Sequence, residues 1–324
     1  MEAPYNRFSD YLLKKYGGKT YKLPLNIRGT CPNKDGTLGT EGCVFCGEES
    51  AGFEAQHPDT SIAEQIESTA SLVRRKYGAK KFIAYFQNWS GTYRPLAGLE
   101  QMVREAAKAP TGGGGADAGG GADRDGVVAV YIATRPDCVS DECLALLAKL
   151  QRELSVDIVL ELGLQTVNED ALIILRRAHS VADFVSAVTR SHAFGIGVCA
   201  HMILGLPFDT REDVVAGARL LSELNVEQVK LHSLFVIEGT RLAEMFEAGE
   251  FEMISKDEFV EREIEFLAHL DSGITVQRLL GRAPEGRALF CNWGMSWWKL
   301  RDYIEDEMTR RGIRQGCKAG GQES

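Results

Sequence analysis

Cys31, Cys43 and Cys46 fall within sixteen residues of one another, in the order C-x11-C-x2-C. Thiolates are soft ligands suited to zinc or to iron–sulfur clusters, and the glycines at 36, 39 and 42 let the intervening loop fold back around a metal. Structural zinc takes four protein ligands, which here requires His57 or a distant cysteine. Three cysteines with no adjacent fourth suit a four-iron cluster that leaves one iron open to an outside ligand. Unligated, three thiols this close would be an oxidation liability. The other five cysteines, at 138, 143, 199, 291 and 317, are scattered. Most read simply as buried or incidental thiols. Cys291, beside Asn292 and Trp293, is the candidate hydrogen donor or substrate contact, although the tryptophans at 293, 297 and 298 also suit core packing.

Something must hold such a loop in place. A capping box at Ser61 and Glu64 opens a helix that runs to Tyr77. Short, almost continuously apolar runs follow at 81–87, 127–133, 156–162, 196–204 and 228–236, separated by helical patterns such as 96–109. With 21–27 as a first strand, the order is six strand–helix units. Near-continuous apolar strands predict a parallel sheet covered by helices, and the fold class expected is α/β, a partial (β/α)6 TIM-like barrel. Residues 1–236 form this core, with a Gly-rich insertion at 111–126; residues 237–324 form a small C-terminal α/β extension of two helices, a strand at 274–280 and a Trp-rich helical tail. In such barrels the site gathers where the strands end. That nominates Asn26, Arg28, Gln87, Thr134, Arg135, residues 163–166, Gly205, Pro207 and Ser233 by position.

Composition narrows the classes. The chain has 324 residues, 44% hydrophobic and 26% charged, which is ordinary for a globular protein. Its 37 Lys and Arg against 46 Asp and Glu give a net charge of -9, arguing against bulk nucleic-acid affinity while leaving room for a local basic patch. No apolar run approaches the ~18–20 residues needed to cross a bilayer, and the start lacks a signal-peptide core. A cytoplasmic protein with no membrane partner is expected. Gly195–Ala200 fits G-x-G-x-x-A but precedes a strand, so it is no dinucleotide fingerprint; the stretch ending Gly18-Lys19-Thr20 lacks the first P-loop glycine.

The cysteine loop after a first strand, Phe45 just before the third cysteine, and the six strand–helix units together resemble the radical S-adenosylmethionine (SAM) superfamily. CPNKDGTLGTEGCVFC is similar to the long-spaced form found in a bacterial subfamily related to the radical SAM domain of Elongator subunit three. ATRPD (133–137), ELGLQT (161–166), RAH (177–179), HMILGLP (201–207) and KLHSLFVIEGT (230–240) sit where that subfamily carries similar blocks. The resemblance implies a 4Fe-4S cluster on Cys31, Cys43 and Cys46, with SAM on the fourth iron. Reductive cleavage of SAM would give a 5'-deoxyadenosyl radical that abstracts hydrogen from substrate. It further implies SAM contacts from Phe45, Gln87, Arg135, Glu161, Gly163, Gln165, Thr166 and Leu206; Gln87 stands where the superfamily usually offers a Gly-Gly-Glu-like motif.

The same resemblance implies tRNA as a partner, with remodelling of a wobble-uridine side chain from carboxymethylaminomethyl to aminomethyl, and an external electron donor such as flavodoxin or ferredoxin. Arg278, Arg282, Arg287, Arg310, Arg311, Arg314 and Lys318 are the cations that would meet phosphate. The acidic balance favours the alternative of a small metabolite or a protein as substrate. A non-enzymatic zinc-binding module is the reading from a different class.

Overall fold

The computed structural model describes residues 3–47, 55–112, 125–284 and 286–320. Seven parallel strands form one curled sheet, a half-barrel, in the order β1 (Thr20–Leu25), β2 (Lys81–Phe86), β3 (Gly126–Thr134), β4 (Asp157–Gln165), β5 (Gly197–Ile203), β6 (Gln228–His232) and β8 (Thr275–Arg278). The expected α/β parallel barrel is present, and it has one strand more than expected. That strand, predicted as part of the extension, pairs in parallel with β6. Helices α2 (Ile62–Tyr77), α3 (Leu96–Lys108), α4 (Asp141–Leu154), α5 (Glu169–Ile174), α6 (Val181–Ala193) and α7 (Arg211–Glu223) fill the crossovers. Of the Gly-rich stretch 111–126, residues 113–124 lie outside the described residues.

Local chemistry sets the helix starts. Ser61 with Glu64, Ser180 with Asp183 and Thr210 with Asp213 each form a reciprocal capping box, satisfying amides that the first turn leaves without partners. Strand parity then divides the core in two. On β4, Ile158, Leu160, Leu162 and Leu164 face the helices and join the large apolar core, while Val159 belongs to the inner cluster. By that period-2 rule Glu161, Gly163 and Gln165 also point into the barrel.

The lower end of the barrel is stoppered by α1 (Phe8–Tyr16). Leu12 and Tyr16 of this helix bury against Ile83, Tyr85, Tyr131 and Cys199, and the Tyr16 hydroxyl donates to Asp157 Oδ2 at 2.5 Å. The sheet does not close by strand pairing. Arg7 instead makes a parallel bridge to Val276 on β8, and Lys22 of β1 reaches across to Gln277 Oε1 at 2.7 Å. Beyond the upper end sit β7 (Val236–Ile237), α8 (Arg241–Glu247) and β9 (Ala288–Phe290), with β7 and β9 paired antiparallel; α9 (Lys256–His269) packs beside α7 in the crossover to β8, and α10 (Trp297–Arg311) packs on the outer core beside it. Among the described residues no helix is long and apolar enough to cross a membrane.

Candidate active site in the barrel mouth

The loop after β1 carries the three cysteines over the carboxyl ends of the strands. Its turns are pinned locally: Cys31 O accepts from the Lys34 amide at 2.7 Å and Cys43 O from the Cys46 amide at 2.9 Å. Gly42 has φ 78°, and a Cβ there would meet Lys34 Cε at 2.8 Å, so this turn requires glycine. Val44 anchors the far side of the loop. Its side chain is buried beside Leu175, Leu206 and Leu242, its amide donates to Leu175 O at 3.2 Å, and its carbonyl accepts from the Leu242 amide at 2.8 Å.

Cys31, Cys43 and Cys46 all line one open cleft, together with Phe45, Gln87, Arg135, Glu161, Gly163 and Gln165. These come from the loop and from the ends of β2, β3 and β4, as parity and strand order predict. Thr134 also lines the cleft, whereas Asn26, Arg28, Leu164, Gly205, Pro207 and Ser233, nominated by strand-end position, do not. Of the residues expected to touch SAM or substrate, three lie elsewhere. Thr166 is buried outside the cleft lining and accepts from the Asn168 amide at 3.0 Å, shaping the start of α5. Leu206 is packed in the apolar cluster under the cysteine loop. Cys291 is half-buried ahead of the turn at 292–294, also away from the lining residues.

Arg177 joins the cysteine loop to the barrel. Its Nη1 donates to Cys43 Sγ at 3.2 Å, its Nη2 to Gly163 O at 2.9 Å, and its Nε to His179 Nε2 at 3.2 Å. The turn that presents it is unusual, with Arg176 at φ 53° and Ala178 at φ 50°. Asn33 holds the turn by donating to Arg176 O at 2.8 Å. Positive φ at non-glycine residues costs of order 1 kcal/mol each and persists where the surroundings fix it. At Gly163 a Cβ would lie 2.7 Å from Gln165 Nε2 and 2.9 Å from Arg177 Nη2. The pairing of β4 with β5 is irregular between Gly163 and Gln165, and Gln165 has φ 77°; the irregularity turns these groups toward the cleft.

Arg135 is 4% exposed. It forms a two-pronged ion pair with Asp137 at 2.9 Å for each bond, and Nη2 also donates to Ala178 O at 3.0 Å. Its Nη1 is buried and has no hydrogen-bond partner. An orphaned guanidinium nitrogen at the cleft is what a ligand carboxylate would satisfy.

Beneath the cleft lies a charged floor. Glu161, with its side chain fully buried, accepts from Lys22 through one oxygen, with Gln277 Nε2 at 3.1 Å on the same atom; the other oxygen takes His201 Nε2 at 2.8 Å and Lys230 Nζ at 3.2 Å. Lys230 also donates to the Tyr85 hydroxyl at 2.7 Å. Burial alone would raise the Glu161 pKa, but the ammonium groups of Lys22 and Lys230 and the His201 hydrogen bond hold it well below the usual carboxylate range. One anion between two cations balances only one of them, so burial, opposed by Glu161 and aided by Lys22 and Arg278, lowers Lys230 to about 7. His201 is pushed down to about 4, chiefly by burial and by Lys230, and stays neutral at pH 7. His232 and Arg278 complete the wall, Arg278 Nη2 lying 2.9 Å from His232 Nδ1.

Sequence reasoning assigned no role to Lys22, Tyr85, Arg177 or Lys230; the available signal was a polar residue at an inward-facing strand position. The resemblance placed Glu161 among the SAM contacts, whereas both of its carboxylate oxygens are already engaged by the floor. His201 on β5 and His232 on β6 both line the cleft.

The donor set fits a cluster better than a single ion. Among the described residues, the grouping of three metal-capable atoms within 4.8 Å of one another is Glu161, Cys199 and His201, not the three loop cysteines. That inner trio lies beside two lysines and is unsuited to a cation. His57, which a zinc site would recruit, is exposed and paired with Asp59 at 3.7 Å.

The profile of the Radical SAM superfamily matches residues 35–221, and that of the Radical_SAM C-terminal domain matches residues 226–310. The Bacillus subtilis protein YtqA is 30% identical over 97% of this chain and 92% of its own length. A tRNA uridine(34) acetyltransferase of Methanocaldococcus infernus is 31% identical, over 59% of this chain and 35% of the relative. The structure of archaeal Methanocaldococcus infernus Elp3 with an N-terminal deletion superposes with a TM-score of 0.68 at 18% identity, covering 92% of this chain and 65% of that one. The superfamily profile spans more than half of the chain, so this protein belongs to the radical SAM superfamily of enzymes, which work with a 4Fe-4S cluster and S-adenosylmethionine.

Proposed function

We propose that this radical SAM enzyme acts on the side chain of a wobble uridine in tRNA, converting a carboxymethylaminomethyl group to an aminomethyl group. The observation that carries the reading is the charge of the cleft, where Lys34, Arg135, Arg177, Lys230 and Arg278 face Glu161 as the lining carboxylate. This excess of cations suits two carboxylates, one on SAM and one on the substrate. The resemblance to Elongator subunit three and to tRNA uridine(34) acetyltransferases points to the same base.

Cys31, Cys43 and Cys46 would hold the cluster, which with SAM supplies a 5'-deoxyadenosyl radical when reduced by a donor of the flavodoxin or ferredoxin class. The chain's own part is positional. Arg177 donates to the Cys43 sulfur and fixes the strand end at Gly163. Phe45, Gln87, Gly163 and Gln165 would shape the SAM site, with Arg135 Nη1 on its carboxylate. Thr166 and Leu206 would act by supporting the adjoining loops.

A small metabolite or protein substrate is the competing reading. It draws support from the pairing of Arg310 and Arg311 with Glu307, of Arg311 with Glu261, and of Lys318 with Glu265, which neutralises much of the expected phosphate-binding tail. The test is anaerobic reconstitution with iron and sulfide of the wild type and a Cys31/Cys43/Cys46→Ala variant, then dithionite, SAM and tRNA lacking its final wobble modification. Expected are cluster absorbance and 5'-deoxyadenosine in the wild type alone, and a tRNA nucleoside that has lost its carboxymethyl group. Cluster-dependent cleavage with the nucleoside unchanged would refute the tRNA substrate; equal product from the variant would refute the cysteine assignment.

A further inference from the structure

The exposed aromatic residues at the start of α10 have no role in the cleft. Trp297 and Trp298 are 38% and 49% exposed, and their rings stand edge to face with centroids 6.0 Å apart. Large exposed rings are uncommon on a surface unless something covers them. The Arg301 guanidinium lies 5.4 Å from the Trp297 ring centroid, and Lys256 Nζ lies 4.5 Å from that of the exposed Tyr303.

The placement of this cluster follows from the connectivity. Further along α10, Glu305 accepts from Tyr5 at 2.8 Å and from Arg7 at 2.5 Å, next to the Arg7 bridge at the closed end of the barrel. Trp297 precedes Glu305 by eight residues, about 12 Å of helix, so the first turn lies toward the mouth. The preceding residues agree: Trp293 packs tilted on Phe259 at 4.8 Å and meets Phe290 of β9 edge to face at 5.4 Å, and β9 pairs with β7 just beyond the upper end of β6.

Charge on this segment runs opposite to the chain as a whole. From Arg278 to Arg301 the sequence has five basic residues and one acid, in a protein of net charge -9. Arg282, Arg287 and Lys299 are exposed. Arg301 is paired with Asp302 at 2.6 Å, just as Arg310 and Arg311 at the far end are tied to glutamates, which leaves Lys299 as the exposed cation beside the two rings. Flat rings beside exposed cations provide stacking for bases and countercharge for phosphates, the combination that binds single-stranded nucleic acid.

Resting on the tRNA reading, we propose that Trp297 and Trp298, with Lys299, form the platform on which the single-stranded anticodon loop is held at the barrel mouth. Binding is read by titrating an anticodon stem-loop RNA against the reconstituted enzyme across a salt series. Trp297→Ala/Trp298→Ala should weaken binding at least about tenfold, and Trp297→Phe/Trp298→Phe should restore it to within about threefold because stacking survives. Lys299→Ala should make the slope of log affinity against log salt shallower by about 0.7. Dithionite-driven SAM cleavage without RNA should be unchanged in all variants. If the wild type binds RNA and the alanine tryptophan variant binds equally well, the platform is refuted and the tRNA reading stands. If the wild type binds no RNA, both fall.

Discussion

Replacing Glu161 by Gln is the most direct probe of the barrel floor. The substitution preserves volume but leaves Lys22 and Lys230, whose side chains are 18% and 7% exposed, without their shared anion. Removing one partner from a buried charge cluster costs about 3–5 kcal/mol. The floor can instead respond by shedding a further proton, beyond the one that Lys230, lowered to about 7, already partly loses in the wild type. A lysine forced neutral in the folded state, against about 10.4 when unfolded, costs about 1.4 kcal/mol per pH unit below that value. The penalty by that route is roughly 4–5 kcal/mol at pH 7 and about 2 kcal/mol at pH 9. A group whose pKa is depressed by folding contributes most unfavourably at low pH, so the variant should recover stability as pH rises. Urea unfolding of the cluster-free chain at pH 6, 7 and 9 would measure this. A Lys22→Met/Glu161→Gln variant, with one cation fewer, should regain at least about half of the loss. A loss under about 1 kcal/mol at pH 7, or one that grows toward pH 9, would show that the two ammonium groups do not depend on Glu161.

Further outcomes follow from other residues. Arg135→Lys cannot reproduce the two-pronged pairing with Asp137 and loses the orphaned Nη1, so SAM affinity of the reconstituted enzyme, measured by calorimetry, should drop about tenfold or more. Gly163→Ala places a methyl group against Gln165 and Arg177; SAM binding should weaken while the melting temperature of the cluster-free chain falls by only a few degrees, since both clashing atoms end flexible side chains. Glu263 is fully buried on α9, neither carboxylate oxygen has a partner, and burial raises its pKa well above the usual range. An acid of this kind destabilises the fold as pH rises past its unfolded value, so Glu263→Gln should stabilise the chain more at pH 8 than at pH 5, as thermal melts would show.

Much of this arrangement was legible because strand parity and strand ends carry information. In β4 the alternation Ile158, Leu160, Leu162, Leu164 declares the helix-facing side, which leaves Glu161, Gly163 and Gln165 on the other, and Arg135 stands immediately after β3. The capping box at Ser61 fixed the start of α2 to within a residue or two. Less visible were features made by distant pairs. Lys22 and Lys230 meet only when β1 and β6 curl toward each other, and neither segment has a reason to hold a lysine until the sheet is formed. Arg177 looked like an ordinary residue after a helix, since the bond to Cys43 joins positions 134 apart. The strand β8 was read into the extension because nothing local says that a strand following two helices must return to the sheet edge.

The bridge between Arg7 and Val276 has a bearing on how the protein is made. Strands β1 to β6 can zip together in the order in which they leave the ribosome, each meeting a neighbour already present. The stopper helix differs, because its final seat is completed only after β8 has been synthesised, some 260 residues later. Contacts between such distant segments form slowly, since a long loop must close before any contact rewards it. Until then, the outer edge of β6, which β8 later covers, and the barrel's polar interior are exposed to water. That interval is when the nascent protein is most prone to mispairing, and when a chaperone would be of most use to it.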